Sequence, residues 1–227
     1  MARRKNNLAG LLLVNKPRGI TSHDVVDIVR RRLGMRKVGH AGTLDPLANG
    51  LLIILVGAYT KMFNRFVNFD KEYIGIMQLG TRTTTGDSQG EILQSKDYDD
   101  LSSKDIEEVF SQFRGVQEQV PPMVSARKFK GKRLYKLARA GVTVKRQPRE
   151  VNIKEIKVLD TNLPSIKFYV HCSKGTYVRQ LAEDIGQKLG SCAHITSINR
   201  LSIGPFSVDE AVSPEQVTAR DLKLFND

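Results

Sequence analysis

Residues Leu51–Val56 (LLIILV) form the longest uninterrupted apolar run in this chain of 227 residues. Six residues is the length of a strand and far short of the ~20 needed to cross a bilayer as a helix. The run therefore predicts a buried strand. The residues that lead into it, VGHAGTLDPLANG (38–50), are small and turn-forming, and they carry one carboxylate, Asp45, between Leu44 and Pro46. A single acid in a glycine-rich loop that feeds a buried strand is the feature to be explained.

Other segments fill in the class. Leu11–Val14 reads as a second short buried strand. Between the two, Ser22 is expected to cap a helix with Val25, Val29 and Leu33 on one face and Gly34 at its end. EYIGIMQL (72–79) fits a strand with Tyr73, Gly75, Met77 and Leu79 on one side. Ser102 and Asp105 resemble a capping box ahead of the stripe Ile106, Val109, Phe110 and Phe113. Val151 and Ile153 are out of phase with Ile156 and Val158, which predicts a bulged strand, and Ile166, Phe168, Val170 and Cys172 alternate in the next. A helix follows Thr176, with Val178, Leu181, Ile185 and Leu189 on one face, and strand-like pieces surround Ile195–Ile203. Ser213-Pro214-Glu215-Gln216 predicts a last helix with proline in its first turn. Strands and helices mix without a βαβ rhythm, so the class expected is α+β with a mixed or antiparallel sheet. With no repeat and no low-complexity linker, one domain over residues 1–227 is expected.

Composition narrows the partners. Thirty-six Lys and Arg against 24 Asp and Glu leave a net charge of +12, an excess that suits an acidic partner, nucleic acid first. No apolar segment has membrane-spanning length, and two cysteines make no disulfide framework, so a cytoplasmic protein is expected. The excess is concentrated in RKFKGKRLYKLARAGVTVKRQPR (127–149), which holds ten Lys or Arg, no acid, and interleaved Phe129 and Tyr135. Ten like charges without a countercharge repel one another, so this segment is expected to face phosphates, with Lys128, Lys130, Lys132 and Arg133 among the contacts.

Several chemistries are disfavoured. No Gly-Lys-Ser/Thr follows the glycines of the Asp45 loop, and there is no G-x-S-x-G elbow. His171 and Cys172 are neighbours on a predicted strand and point to opposite faces, so with Cys192 and His194 they make a poor ligand set, and no metal is expected.

GHAGTLDPLANG resembles the central motif of the TruB family of tRNA pseudouridine synthases, which isomerise uridine 55 in the T-loop. Further segments match in the family's order: NKPRGITSHDVV (15–26), DKEYIGIMQLGTRTTTGDSQG (70–90), PPMVSARKFKGKRLYKLARAG (121–141), HCSKGTYVRQLAEDIGQKLG (171–190) and INRLSIGPF (198–206). The resemblance covers nearly the whole chain. It implies the pseudouridine synthase fold, a mixed and largely antiparallel sheet with flanking helices and a central catalytic cleft. It also implies a thumb-like RNA-binding segment at about 121–149. By the same resemblance Asp45 is the catalytic aspartate, Tyr73 stacks on the target base and Arg179 pairs with Asp45. His40 enters the T-loop near the flipped nucleotide, Lys16 and Tyr177 shape the pocket, and Leu201 lines it.

The chemistry agrees with these roles. Pseudouridine formation breaks the N1–C1′ bond, turns the uracil and joins C5 to C1′. There is no redox step, so no cofactor is expected. An ionised carboxylate can attack the base or the sugar, or stabilise the charge that develops. The target base has to leave its stack and be held, a task suited to Tyr73. A glycine turn would expose Asp45 while the strand behind it anchors the loop in the core. The chain departs from the family at Asn49, where threonine is common, and at Thr84, where an acid is common. With the sequence ending at Asp227, the C-terminal PUA domain that many relatives carry is not expected. The expected partner is the tRNA T-arm, met by a monomer with no obligate protein partner. Two other readings stand beside this one: a non-catalytic RNA-binding or tRNA-folding protein on the same fold, and a guide-RNA-dependent dyskerin-like synthase.

Overall fold

The computed structural model describes residues 8–99, 101–125, 128–129 and 131–225. From the N-terminus run β1 (Gly10–Lys16), α1 (Ser22–Leu33), β2 (Val38–Ala41), β3 (Asn49–Val56), α2 (Phe63–Val67) and β4 (Lys71–Leu79). β5 (Thr81–Thr83), β6 (Ile92–Ser95), α3 (Ser103–Gln112) and β7 (Gly115–Gln119) follow, then β8 (Lys128–Phe129), β9 (Lys132–Arg133) and α4 (Leu134–Arg139). The last elements are β10 (Arg149–Asn162), β11 (Ser165–Cys172), α5 (Val178–Lys188), β12 (Ala193–Ile203) and β13 (Phe206–Ser207). This is an α+β protein with mixed strand pairing. The chain divides into two compact units, one of residues 1–72 with 199–227 and the other of residues 73–198.

In the first unit the apolar run of β3 is central, as its sequence predicts. It pairs antiparallel with β1, from Gly10↔Val56 to Lys16↔Gly50, and with β2, from Val38↔Val56 to Ala41↔Ile53. Asn199 and Arg200 of β12 lie parallel to Asn49 and Gly50. Alternate residues then serve two cores. Leu12, Val14, Leu52 and Ile54 pack with Val25, Val26, Val29 and Leu33 of α1. Leu11, Leu13, Leu51 and Ile53 pack with Phe66, Ile203 and Phe206. A strand buried on both faces has to be apolar at every position, which is why β3 shows no alternation.

The second unit is ordered β12-β4-β11-β10-β7, with β10 antiparallel to both neighbours. β4 buries Tyr73, Gly75, Met77 and Leu79 on one face, and Gly75 leaves room for the Phe168 ring, which a Cβ would meet at 2.5 Å. Phe110 of α3 packs on Phe168 with ring centroids 5.7 Å apart. The expected bulge in β10 is present, with register shifts between Ile153 and Glu155 and between Val158 and Asp160.

Two expectations are corrected. The cap of α1 is Thr21, not Ser22: Thr21 and Asp24 form a complete capping box, and Ser22 is the first helical residue. No helix starts at Ser213; residues 213–216 make a turn closed by the Gln216 N–H on the Ser213 carbonyl at 3.1 Å. Tertiary contacts override the local signal there, because Val212 bridges to Val14 and Val217 is buried in the α1 core.

Candidate active site

The residues picked out from the sequence fall into two groups. Lys16, His40, Asp45 and Leu201 belong to the first unit, and Tyr73, Tyr177 and Arg179 to the second.

In the first unit Asp45 is half-buried on the loop between β2 and β3, flanked by the buried Leu44, Leu47 and Ala48. The loop backbone is tied down at nearly every step. The Ala48 N–H donates to the Asp45 carbonyl at 3.1 Å and the Gly19 N–H to the Pro46 carbonyl at 2.8 Å. Ser22 holds Leu44 through both of its backbone groups. Arg200, 2% exposed, donates from Nε to the Leu51 carbonyl at 2.7 Å. Its two terminal nitrogens reach the Thr43 and Gly42 carbonyls at 3.4 Å each. Asn49 donates to Asn199 Oδ1 at 3.3 Å. Gly50 closes the loop at φ +104°, where a Cβ would stand 2.3 Å from the Arg200 carbonyl oxygen.

Lys16 supplies the local charge. Its side chain is fully buried at the end of β1, and its ammonium donates to the carbonyls of Pro17 at 2.9 Å and Ile20 at 2.7 Å. Burial pulls its pKa down to about 8; Asp45 and Asp24 oppose that shift and Arg200 adds to it. Lys16 and Asp45 therefore share one electrostatic environment, and Lys16 is mainly charged at neutral pH. His40 sits on β2 opposite Ile54, and Leu201 follows Arg200 on β12.

In the second unit Tyr73 is 8% exposed on the buried face of β4. Arg179 is the second residue of α5, on its buried side. It donates to the carbonyls of Thr85 at 2.5 Å and Val124 at 2.8 Å, and its Nη1 lies 3.8 Å from Asp87 Oδ2. Tyr177, the residue before the helix, is held through its backbone: its N–H donates to Gln119 Oε1 at 2.8 Å, and Gln119 Nε2 donates to its carbonyl at 3.1 Å.

Within this unit Arg82, Thr85, Arg146, Gln180 and Glu183 help to line a cavity of about 530 Å³. Burial raises the Glu183 pKa, against the pull of Arg82, Arg179 and Arg146. In the basic segment, the side chains of Lys128, Lys132 and Arg133 and the whole of Lys130 lie outside the described residues. His194 Nδ1 is 3.0 Å from Thr81 Oγ1, and the described residues hold no cluster of three or more His, Cys, Asp or Glu that could bind a metal. No helix among them is long and apolar enough to cross a membrane.

From the sequence Ser22 is expected only as a helix cap, and Arg200, Gln119 and Asp87 are given no role. The first three act on backbone groups distant in the chain, which no local pattern records. For Asp87 the signal was within reach, since it lies in a quoted motif, GDSQG.

Residues 30–178 match the model of the TruB family pseudouridylate synthase N-terminal domain, and residues 179–224 match the tRNA pseudouridylate synthase B C-terminal domain. The chain belongs to the TruB family of pseudouridylate synthases. It is 47% identical over 208 residues to the tRNA pseudouridine synthase B of Syntrophotalea carbinolica, covering 92% of this chain and 68% of that protein. It is 43% identical over 225 residues to the tRNA pseudouridine synthase B of Francisella tularensis subsp. tularensis, covering 99% and 74%. Among solved structures it is similar to a chain of a Cbf5-Nop10-Gar1 complex, with a TM-score of 0.71 and 28% identity over 91% of this chain. It spans about half (52%) of that solved chain's length.

Proposed function

We propose that this TruB family member isomerises uridine 55 to pseudouridine in the T-loop of tRNA, acting as a cytoplasmic monomer on the T-arm. The observation that carries the reading is the loop of Asp45. One carboxylate sits on a backbone tied down by buried groups, beside the buried cation Lys16. A solvated turn needs no such support, whereas a reacting group gains from being held in place.

In this reading Asp45 acts at the glycosidic bond of the flipped uridine. The N1–C1′ bond breaks, the uracil turns, and C5 bonds to C1′. The C5 proton leaves and N1 regains one, so the reaction balances without a cofactor. Tyr73 stacks on the base, Arg179 favours the ionised Asp45, and His40 enters the T-loop. Lys16, Tyr177 and Leu201 shape the uracil pocket, and the basic segment at about 121–149 tracks RNA phosphates with Lys128, Lys130, Lys132 and Arg133. Residues 1–227 work as one catalytic domain. The names of the relatives, the family match and the anchored aspartate all support this assignment.

The test is to incubate purified protein with an unmodified tRNA transcript and map pseudouridine by chemical probing. Conversion at position 55 alone is expected. Binding without conversion would favour an RNA-folding role.

A further inference from the structure

At the start of α1 two hydroxyl residues stand side by side, and they do different work. Thr21 caps the helix through its capping box with Asp24. The Ser22 hydroxyl is therefore not needed for the helix end. It is 2% exposed and turned to the Asp45 loop, 22 residues further on. Ser22 Oγ accepts from the Leu44 N–H at 2.8 Å and donates to the Leu44 carbonyl at 3.0 Å. One side chain thereby fixes the peptide planes on both sides of Leu44. Leu44 is 4% exposed, so water is a poor substitute for either bond.

The second of those planes is the peptide that starts Asp45. The other end of Asp45 is restricted already, because a following proline disfavours the helical region at Asp45 and the Pro46 carbonyl is held by the Gly19 N–H. We propose that Ser22 is a positioning residue for Asp45: its hydroxyl, clamped on both backbone groups of Leu44, sets the direction from which the carboxylate meets the uridine. This rests on the reading of Asp45 as the catalytic carboxylate. Ser22 itself touches no reacting atom.

The test separates positioning from stability. Ser22→Ala removes the clamp and spares the helix cap, while Thr21→Ala removes the cap and spares the clamp. Single-turnover conversion of tRNA transcript, tRNA Kd and melting temperature are measured for both. A misplacement of about 1 Å can cost ~100-fold in rate. Ser22→Ala is expected to convert about 10- to 100-fold more slowly with Kd within about twofold of wild type, and Thr21→Ala to keep its rate even if it melts earlier. A Ser22→Ala rate within about twofold of wild type overturns the proposal. So does a rate loss matched by Thr21→Ala at equal melting temperature. If Ser22→Ala does not fold, Ser22→Cys replaces it. Its thiol is a weak donor and acceptor, so a several-fold slower rate at unchanged Kd is expected, and the wild-type rate overturns the proposal. Asp45→Asn in the same assay separates the two failures. Turnover by Asp45→Asn removes the catalytic reading and the clamp with it, whereas an inactive Asp45→Asn beside a full-rate Ser22→Ala removes the clamp alone.

Discussion

Lys16 has no exposed surface, yet its amine can carry a charge, and that conflict is open to measurement. Its pKa in the folded protein is about 8, against 10.5 for the free side chain. Below pH 8 both folded and unfolded chains hold the proton, and the cost of burying the charge opposes folding in full. Between about 8 and 10.5 the folded protein sheds the proton and the unfolded chain keeps it, so this group's contribution to stability rises with pH. The stability of wild type minus that of Lys16→Met should therefore climb across this window by up to ~1.4 kcal/mol per pH unit. Urea denaturation from pH 7 to 10 gives the difference, and a flat line would show that Lys16 is not desolvated. The same scale shows where sequence reading stops. Thr21-x-x-Asp24 carried the capping-box spacing, so the true cap was legible beside Ser22. The roles of Ser22, Arg200 and Gln119 were not, because each is defined by backbone groups that only folding brings near.

Elements with strong periodicity were the legible part of the fold. β3 announces itself by length and lack of alternation, and β4 and β11 by period-2 burial. The short strands β5 to β9 have too few residues to show a period, and the pattern at Ser213 loses to the contacts of Val212 and Val217. Glycines around the Asp45 loop offer a matched test. Gly50→Ala puts a Cβ 2.3 Å from the Arg200 carbonyl at φ +104°, where β3 meets β12. It should cost about 2–4 kcal/mol, since strain and overpacking add. Gly39→Ala on β2 meets nothing within 4 Å and should change stability by about 0.5 kcal/mol or less. Equal denaturation midpoints for the two variants would contradict the close approach. The basic segment makes its prediction at this level too. Replacing Lys128, Lys130, Lys132 and Arg133 with Ala should weaken tRNA binding and lower the slope of log affinity against log salt. The drop should be about 0.9 per lost phosphate contact, with B-DNA as the guide. An unchanged slope would take the segment out of the interface.

For the whole molecule, a net charge of +12 fits a polyanionic partner, and membership of the TruB family gives the chemistry to which that charge is put. Charge alone would serve a protein that only binds RNA. The central claim is that Asp45 performs a reaction, and Asp45→Asn tests it most directly. The substitution is nearly isosteric and leaves the clamps on Leu44, Thr43 and Pro46 in place, so the variant should fold and bind tRNA with an affinity close to wild type. It lacks the carboxylate's charge and nucleophilicity. The measurement is single-turnover pseudouridine formation at position 55 with enzyme in excess, alongside tRNA Kd for the same preparation. The account predicts full binding with a rate at least ~1,000-fold below wild type, by analogy with the loss of a nucleophile or a charge-stabilising group. Conversion by Asp45→Asn near the wild-type rate, with contaminating enzyme excluded, would contradict it.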